Sequence, residues 1–128
     1  MSGFEFEDFL AELFRTIGYD VQVTKRTGDQ GADLFVEKFG KKTVIQAKNY
    51  SDNVGNAAVQ QALGAKAFYS CDHAMVVTNS CFTSSAKSLA EAAGITLVDR
   101  KELESDLDED NRAIMEAAIL SRRESLSS

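Results

Sequence analysis

The chain has 128 residues, of which 44% are hydrophobic and 27% charged, a composition typical of a single soluble globular domain. Its apolar stretches are shorter than the about 20 residues of a membrane span, and its first residues lack the features of a signal peptide. We therefore expect a cytoplasmic protein with no membrane partner. One histidine excludes sites with several histidine ligands, and two cysteines are too few for a zinc cluster. We expect Cys71 and Cys81 to be reduced, semi-buried thiols, and His73 to lie at a strand end without a catalytic role.

The net charge of −6 is uneven along the chain. Residues 101–128 hold 4 Lys and Arg against 8 Asp and Glu, so this segment carries −4 of the total. The distribution argues against a protein that binds nucleic acid through bulk positive charge. It does not argue against a nuclease, because the site of such an enzyme is itself acidic and filled by metal ions.

Hydrophobic periodicity predicts an α/β chain that begins with a helix. Apolar residues in Phe4–Ile17 recur at helical spacing, and Gly18 ends the helix. The remaining elements follow in chain order: a strand around Val21 and Val23, a turn at Thr27–Gly31, strands at Asp33–Glu37 and Thr43–Lys48 around a tight Phe39-Gly40 turn, a helix at Val54–Ser70, a strand at Ala74–Thr78, a helix at Thr83–Ala93 and a strand at Ile95–Val98.

This order predicts a small mixed sheet with helices on both faces. The first three strands form an antiparallel meander, and the later strands run parallel because helices link them. We expect residues 1–104 to form this domain and residues 105–128 to form an acidic helical tail. Within the tail, Asp108–Ser121 carries apolar residues among its charges, and we expect it to pack on the body or on a second subunit.

The predicted hairpin brings three polar side chains together. If Phe39 and Gly40 form the turn, Asp33 pairs with Gln46, and Lys48 lies two residues further along on the same face. Mg²⁺ binds hard oxygen ligands, which a carboxylate, an amide and a backbone carbonyl supply, and a neighbouring ammonium can hold a water or offset charge on a phosphate. The alternative is an ordinary surface pair, but a polar Gln in an apolar strand demands a partner.

The first helix adds a further acid. Glu7 lies at the border of the apolar face, whereas Glu5, Asp8 and Glu12 point away from it. A border carboxylate can reach a site formed where the helix packs on the sheet. The alternative is a boundary residue whose charged end simply reaches solvent.

Five segments, in order, resemble the Mrr-type catalytic domain, the methylated-DNA restriction branch of the PD-(D/E)xK nuclease superfamily. They are Phe6-Glu7, Gly18-Tyr19, Thr27–Asp33, Gln46–Tyr50 and Val76–Asn79. The resemblance covers residues 3–104. It implies a restriction-endonuclease-like αβββαβ core and Mg²⁺-dependent cleavage of DNA, in which Mn²⁺ can substitute.

The resemblance also implies roles for individual residues. Asp33 and Gln46 bind the metal, Glu7 supports it, Lys48 is the catalytic lysine, and Gln60 is a polar helix residue that faces the site. Two positions depart from the superfamily pattern. Ala32 stands where a proline is usual, and Gln46 stands where many relatives have an acid, which removes one negative charge and weakens metal binding unless Glu7 compensates.

Contacts with DNA are expected from the body itself. The candidates lie at the mouth of the site and after the catalytic strand: Lys25, Arg26, Thr27, Gln30, Asn49, Tyr50 and Gln60. We expect no recognition domain before Phe4, so a separate DNA-targeting subunit is a candidate partner. A cut through both strands needs two sites, which predicts a homodimer.

The leading hypothesis is therefore a Mg²⁺-dependent DNA endonuclease of the restriction or DNA-processing type. The same core could resolve branched DNA such as Holliday junctions. A second hypothesis is a non-catalytic nucleic-acid-binding module, favoured by the negative net charge and by Gln46 at the acid position. A phosphate-binding loop at Gly28–Gly31 is a weaker idea, because the loop leads into a strand and not into a helix N-terminus.

Overall fold

A computed structural model describes residues 3–23 and 34–105, and the side chains of residues 6–23 and 34–103. The helices and strands of these ranges are α1 (Gly3–Thr16), β1 (Asp20–Val23), β2 (Leu34–Lys38), β3 (Lys41–Lys48), α2 (Asn56–Phe68), β4 (His73–Thr78), α3 (Ser84–Ala93), β5 (Thr96–Val98) and α4 (Arg100–Ser105). The predicted order is confirmed up to β5. Among the described residues, no helix is long and apolar enough to cross a bilayer.

Two local features differ from the prediction. α2 begins at Asn56 because Val54 pairs with Phe82 in an isolated parallel bridge and is not helical. The short helix α4 was not predicted, and its Leu103 packs into the core. The expected tail helix at Asp108–Ser121 lies outside the described residues, so the boundary between domain and tail stays a prediction.

The strands form one sheet in the order β1-β2-β3-β4-β5. β1, β2 and β3 are antiparallel neighbours, and β4 and β5 continue the sheet in parallel, as predicted. Phe39 and Gly40 have φ values of 56° and 75°, the left-handed backbone of a two-residue hairpin turn. The turn pairs Leu34 with Ile45, which is the predicted register. Asp33, one residue before Leu34, lies outside the described residues.

The sheet separates two cores. α1 packs on one face, against residues that include Ile45 and Ala47 of β3. α2 and α3 pack on the other face, against residues that include Val44 and Val76. Because side chains alternate along a strand, Gln46 and Lys48 share the face of Val44. The second helix layer therefore borders the predicted site residues of β3.

The scarce cysteine and histidine residues have different environments. Cys71 and His73 are buried, and His73 is the first residue of β4, which agrees with its predicted place at a strand end. Cys81 is exposed, so the expectation of a semi-buried thiol is wrong at this position. Cys81 lies in the connection between β4 and α3, where the next residue, Phe82, is the one that packs into the core.

Candidate active site

Gln46 places a polar atom in an apolar environment near the end of β3. Its side chain is only 3% exposed, and it pairs in register with Val76 of β4. Among the described residues, no group donates a hydrogen bond to its buried Oε1. A buried oxygen without a donor costs free energy and is uncommon in native proteins. An amide oxygen is also a hard, neutral ligand of the type that Mg²⁺ accepts, so this atom fits a divalent cation.

Lys48 lies two residues further along β3, at its last position. Its Nζ donates a hydrogen bond to Gln61 Oε1 at 2.9 Å, and it lies 5.6 Å from the centre of the Tyr50 ring. The side chain therefore bridges the strand, helix α2 and the connection between them. An ammonium group held in this way keeps a defined place at the end of the sheet.

The α2 residue that contacts Lys48 is Gln61, and not Gln60. The buried residues of α2 are Ala58, Val59, Ala62 and Ala65. At 100° per residue, Gln61 lies about 90° from the centre of this buried face, whereas Gln60 lies about 170° from it. Both glutamines are exposed, so their positions around the helix, and not their burial, distinguish them. The spacing of the buried small residues is the sequence signal that could have distinguished the two glutamines.

Glu7 occupies a different layer from Gln46. It is 8% exposed and belongs to α1, which packs on the opposite face of the sheet. Only residues 17–19 separate α1 from β1, so the chain reverses direction there and the start of α1 lies over the carboxyl end of β1. β1 runs parallel to β3, because each is antiparallel to β2. Glu7 therefore lies at the same end of the sheet as Lys48.

Several predicted site residues lie outside the described residues. These are Lys25, Arg26, Thr27, Gln30 and the predicted metal ligand Asp33. Within the described part of the chain, no group of three or more His, Cys, Asp or Glu side chains could hold a metal ion. Asn49 and Tyr50, predicted to contact DNA, directly follow Lys48, and the Tyr50 side chain is 48% exposed.

The end of β4 contributes two residues whose contacts the sequence does not predict. Thr78 and Asn79 hydrogen-bond to the last residue of β3 and to the connection that follows it. They are 29 or 30 residues away from their partners in the sequence, so local patterns contain no signal for these contacts.

The family model of the Mrr catalytic domain, described as a restriction endonuclease, matches residues 1–106. The chain belongs to this family. It is 33% identical over 107 residues to the type IV methyl-directed restriction enzyme EcoKMrr of Escherichia coli K12, an alignment that covers 77% of this chain and 35% of the relative. The chain thus spans about a third of the length of that Mrr relative.

Two solved structures share the fold. The DNA modification-dependent restriction endonuclease AspBHI matches with a TM-score of 0.65 and 17% identity, over 95% of this chain and 36% of that protein. The MspJI restriction endonuclease, solved in complex with a 27-mer oligonucleotide, matches with a TM-score of 0.59 and 16% identity, over 91% of this chain and 31% of that protein. The predicted restriction-endonuclease-like fold is confirmed.

Proposed function

We propose that this Mrr-family chain is a Mg²⁺-dependent DNA endonuclease that hydrolyses phosphodiester bonds, with Mn²⁺ as an alternative metal. The observation that carries the proposal is the buried Oε1 of Gln46, which no described residue satisfies, on the same strand face as the Lys48 ammonium. An apolar strand gains no stability from such an oxygen. Its place is explained if a cation binds it.

The proposed metal ligands are Gln46 and Asp33, and Glu7 supports the metal from α1, which packs on the other face of the sheet. Gln46 provides the neutral oxygen, and the two acids supply the negative charge that Gln46 lacks. Asp33 directly precedes Leu34, the first residue of β2. Leu34 pairs with Ile45, the residue before Gln46, so the sequence neighbours of this pair are Asp33 and Gln46. A Mg²⁺ ion held by these residues would supply Lewis acidity to the scissile phosphate and would make a neighbouring water more acidic.

Lys48 assists the attacking water in this proposal. An ammonium has three N–H donors, and one of them is donated to Gln61 Oε1. The other two are available to orient the water and to offset the negative charge that develops on the phosphate oxygens. Gln61 limits the rotation of the flexible lysine side chain, so less ordering is needed when DNA binds.

The proposed substrate is DNA. Asn49 and Tyr50 directly follow Lys48, and the exposed ring of Tyr50 can stack on a base or a sugar beside the cleaved bond. Because the E. coli relative is named as methyl-directed, modified DNA is the first substrate to test. We also propose that the protein is a cytoplasmic homodimer with two sites. A separate subunit would direct it to its DNA target.

A non-catalytic DNA-binding module is the second candidate. The neutral Gln46, at a position where an acid would bind metal more strongly, favours it. The two candidates differ in one respect, since only the endonuclease requires a metal ion and Lys48 for its effect on DNA.

The test is incubation of the purified chain with supercoiled plasmid, methylated or unmethylated, in Mg²⁺, Mn²⁺ or EDTA. We expect metal-dependent nicking or linearisation that is lost in Lys48→Met and Asp33→Asn. Lys41→Met is the matched control, because Lys41 is exposed at the other end of β3 and should be dispensable. Binding of DNA without cleavage under all conditions would favour the second candidate. Cleavage that survives Lys48→Met would show that Lys48 is not a catalytic residue.

A further inference from the structure

The carboxyl end of β4 supports the end of β3 through Thr78. This residue is fully buried and pairs in register with Lys48. Its Oγ1 donates a hydrogen bond to the Lys48 carbonyl oxygen at 2.7 Å and accepts one from the Ser80 backbone N–H at 3.1 Å. The regular strand pairing ends at this point, so the hydroxyl gives the carbonyl oxygen of Lys48 a donor where the backbone ladder stops.

Asn79 holds the two residues that follow Lys48. Its Oδ1 accepts a hydrogen bond from the Tyr50 backbone N–H at 2.9 Å, and its Nδ2 donates to Asn49 Oδ1. The Tyr50 ring in turn lies beside the Lys48 ammonium. One amide side chain thus contacts both residues that follow β3.

The rest of this connection, residues 49–55, is attached to the segment after β4. Val54 N–H donates to the Cys81 carbonyl at 2.7 Å, and Thr83 N–H donates to the Val54 carbonyl at 3.0 Å. At the start of α2, Asn56 Nδ2 donates to Ser85 Oγ at 3.0 Å. These bonds place α2, and with it Gln61, relative to the end of β3.

We propose that Thr78 and Asn79 are positioning residues that hold the Lys48 ammonium where the reaction needs it. Thr78 fixes the lysine backbone, Asn79 fixes the chain that follows, and Gln61 fixes the tip of the side chain. A lysine has four flexible bonds, so an ammonium is placed accurately only if both the backbone and the tip are held. The inference rests on the proposed function, since it deepens the role of Lys48.

The first experiment measures the position of Lys48 without measuring activity. Correlation NMR spectra of the lysine Nζ groups are recorded for the wild-type chain, and the Lys48 signal is assigned by its absence in Lys48→Met. We expect Thr78→Val to move this signal toward those of exposed lysines. Thr78→Ser keeps the hydroxyl and should restore the wild-type position. Thr43→Val is the matched control, because Thr43 is a buried threonine near the opposite end of β3.

The second experiment measures cleavage of plasmid DNA by the same variants in Mg²⁺. A displacement of a reacting group by about 1 Å can cost about a hundredfold in rate, so we expect Thr78→Val to lower kcat by about tenfold to a hundredfold. KM should change by less than about twofold, because substrate binding is retained. Thr78→Ser and Thr43→Val should cleave at close to the wild-type rate.

The outcomes separate this proposal from the proposed function. If the wild-type chain cleaves no DNA but Thr78→Val moves the Lys48 signal as expected, the proposed nuclease function is overturned and the positioning of Lys48 is supported. A Lys48 signal and a kcat that are unchanged in Thr78→Val overturn the positioning role, as does a loss in Thr78→Ser equal to that in Thr78→Val. If Thr78→Val does not fold, Asn79→Ala, at a half-buried position, provides the same test. It should move the Lys48 signal in the same direction, and an unchanged signal overturns the proposal.

Discussion

The Nζ of Lys48 donates a 2.9 Å hydrogen bond to Oε1 of Gln61, and this bond joins the last residue of β3 to helix α2. The two residues are 13 positions apart in the sequence. The contact gives the ammonium a fixed neighbour on helix α2.

Removal of this acceptor should slow cleavage without preventing DNA binding. In Gln61→Leu the lysine loses its hydrogen-bond partner, and we expect kcat to fall by about tenfold while KM stays within about twofold. Steady-state cleavage of plasmid DNA measures both constants. Gln60→Leu is the matched control on the same helix, and we expect it to behave like the wild type. A larger loss of kcat in Gln60→Leu than in Gln61→Leu would show that Gln60 is the α2 residue that faces the site.

Gln46 should reduce the stability of the metal-free chain. Replacement by Met keeps a similar volume and removes the buried oxygen that no described residue satisfies. We expect Gln46→Met to raise the free energy of unfolding by about 1–2 kcal/mol in EDTA, measured by urea denaturation, and to abolish cleavage. A stability below that of the wild type would show that the oxygen has a partner in the folded chain.

The two thiols should differ in reactivity. Burial raises the pKa of the Cys71 thiol, and Asp72 raises it further, although Lys42 opposes the effect. The thiolate is the reactive form, so at about pH 8 we expect a disulfide reagent to modify the exposed Cys81 quickly and Cys71 slowly. Cys81→Ser should remove the fast phase and Cys71→Ser the slow one. A fast phase that survives Cys81→Ser would contradict the predicted order.

The β2–β3 turn can be improved. Phe39 has a φ of 56° and is 75% exposed, although asparagine and glycine adopt this conformation with less strain. We expect Phe39→Asn to raise the free energy of unfolding by about 1 kcal/mol, even though the ring contact with Lys38 is lost. Phe39→Val is the control, because a β-branched residue at positive φ should lower stability. Thermal unfolding of the wild type, Phe39→Asn and Phe39→Val measures their order of stability.

Much of the fold could be predicted from local patterns. The Phe39-Gly40 turn sets the register of the hairpin, and the alternation along β3 places Gln46 and Lys48 on one face. The helix α4 was missed because six residues are too short for a clear periodicity. The exposure of Cys81 was missed because it depends on where the connection after β4 lies.

The residues around Lys48 were harder to predict because tertiary packing sets them. α2 has one charged residue, Lys66, so charge does not mark its exposed side, and only the spacing of its buried small residues separates Gln61 from Gln60. Thr78 and Asn79 act across two parallel strands whose register follows from the whole sheet. Local sequence contains no information on such pairings.

Calorimetric titration with Mn²⁺ shows whether Gln46 is a ligand of a catalytic metal ion. The wild-type chain should bind the ion, and Gln46→Met should bind it with an affinity lower by about tenfold or more. Even the loss of a residue that only supports a metal ligand typically lowers the affinity by this factor. Lys41→Met should bind as the wild type does. Equal affinity in Gln46→Met and in the wild type, or no binding by the wild type, would show that Gln46 is not a metal ligand.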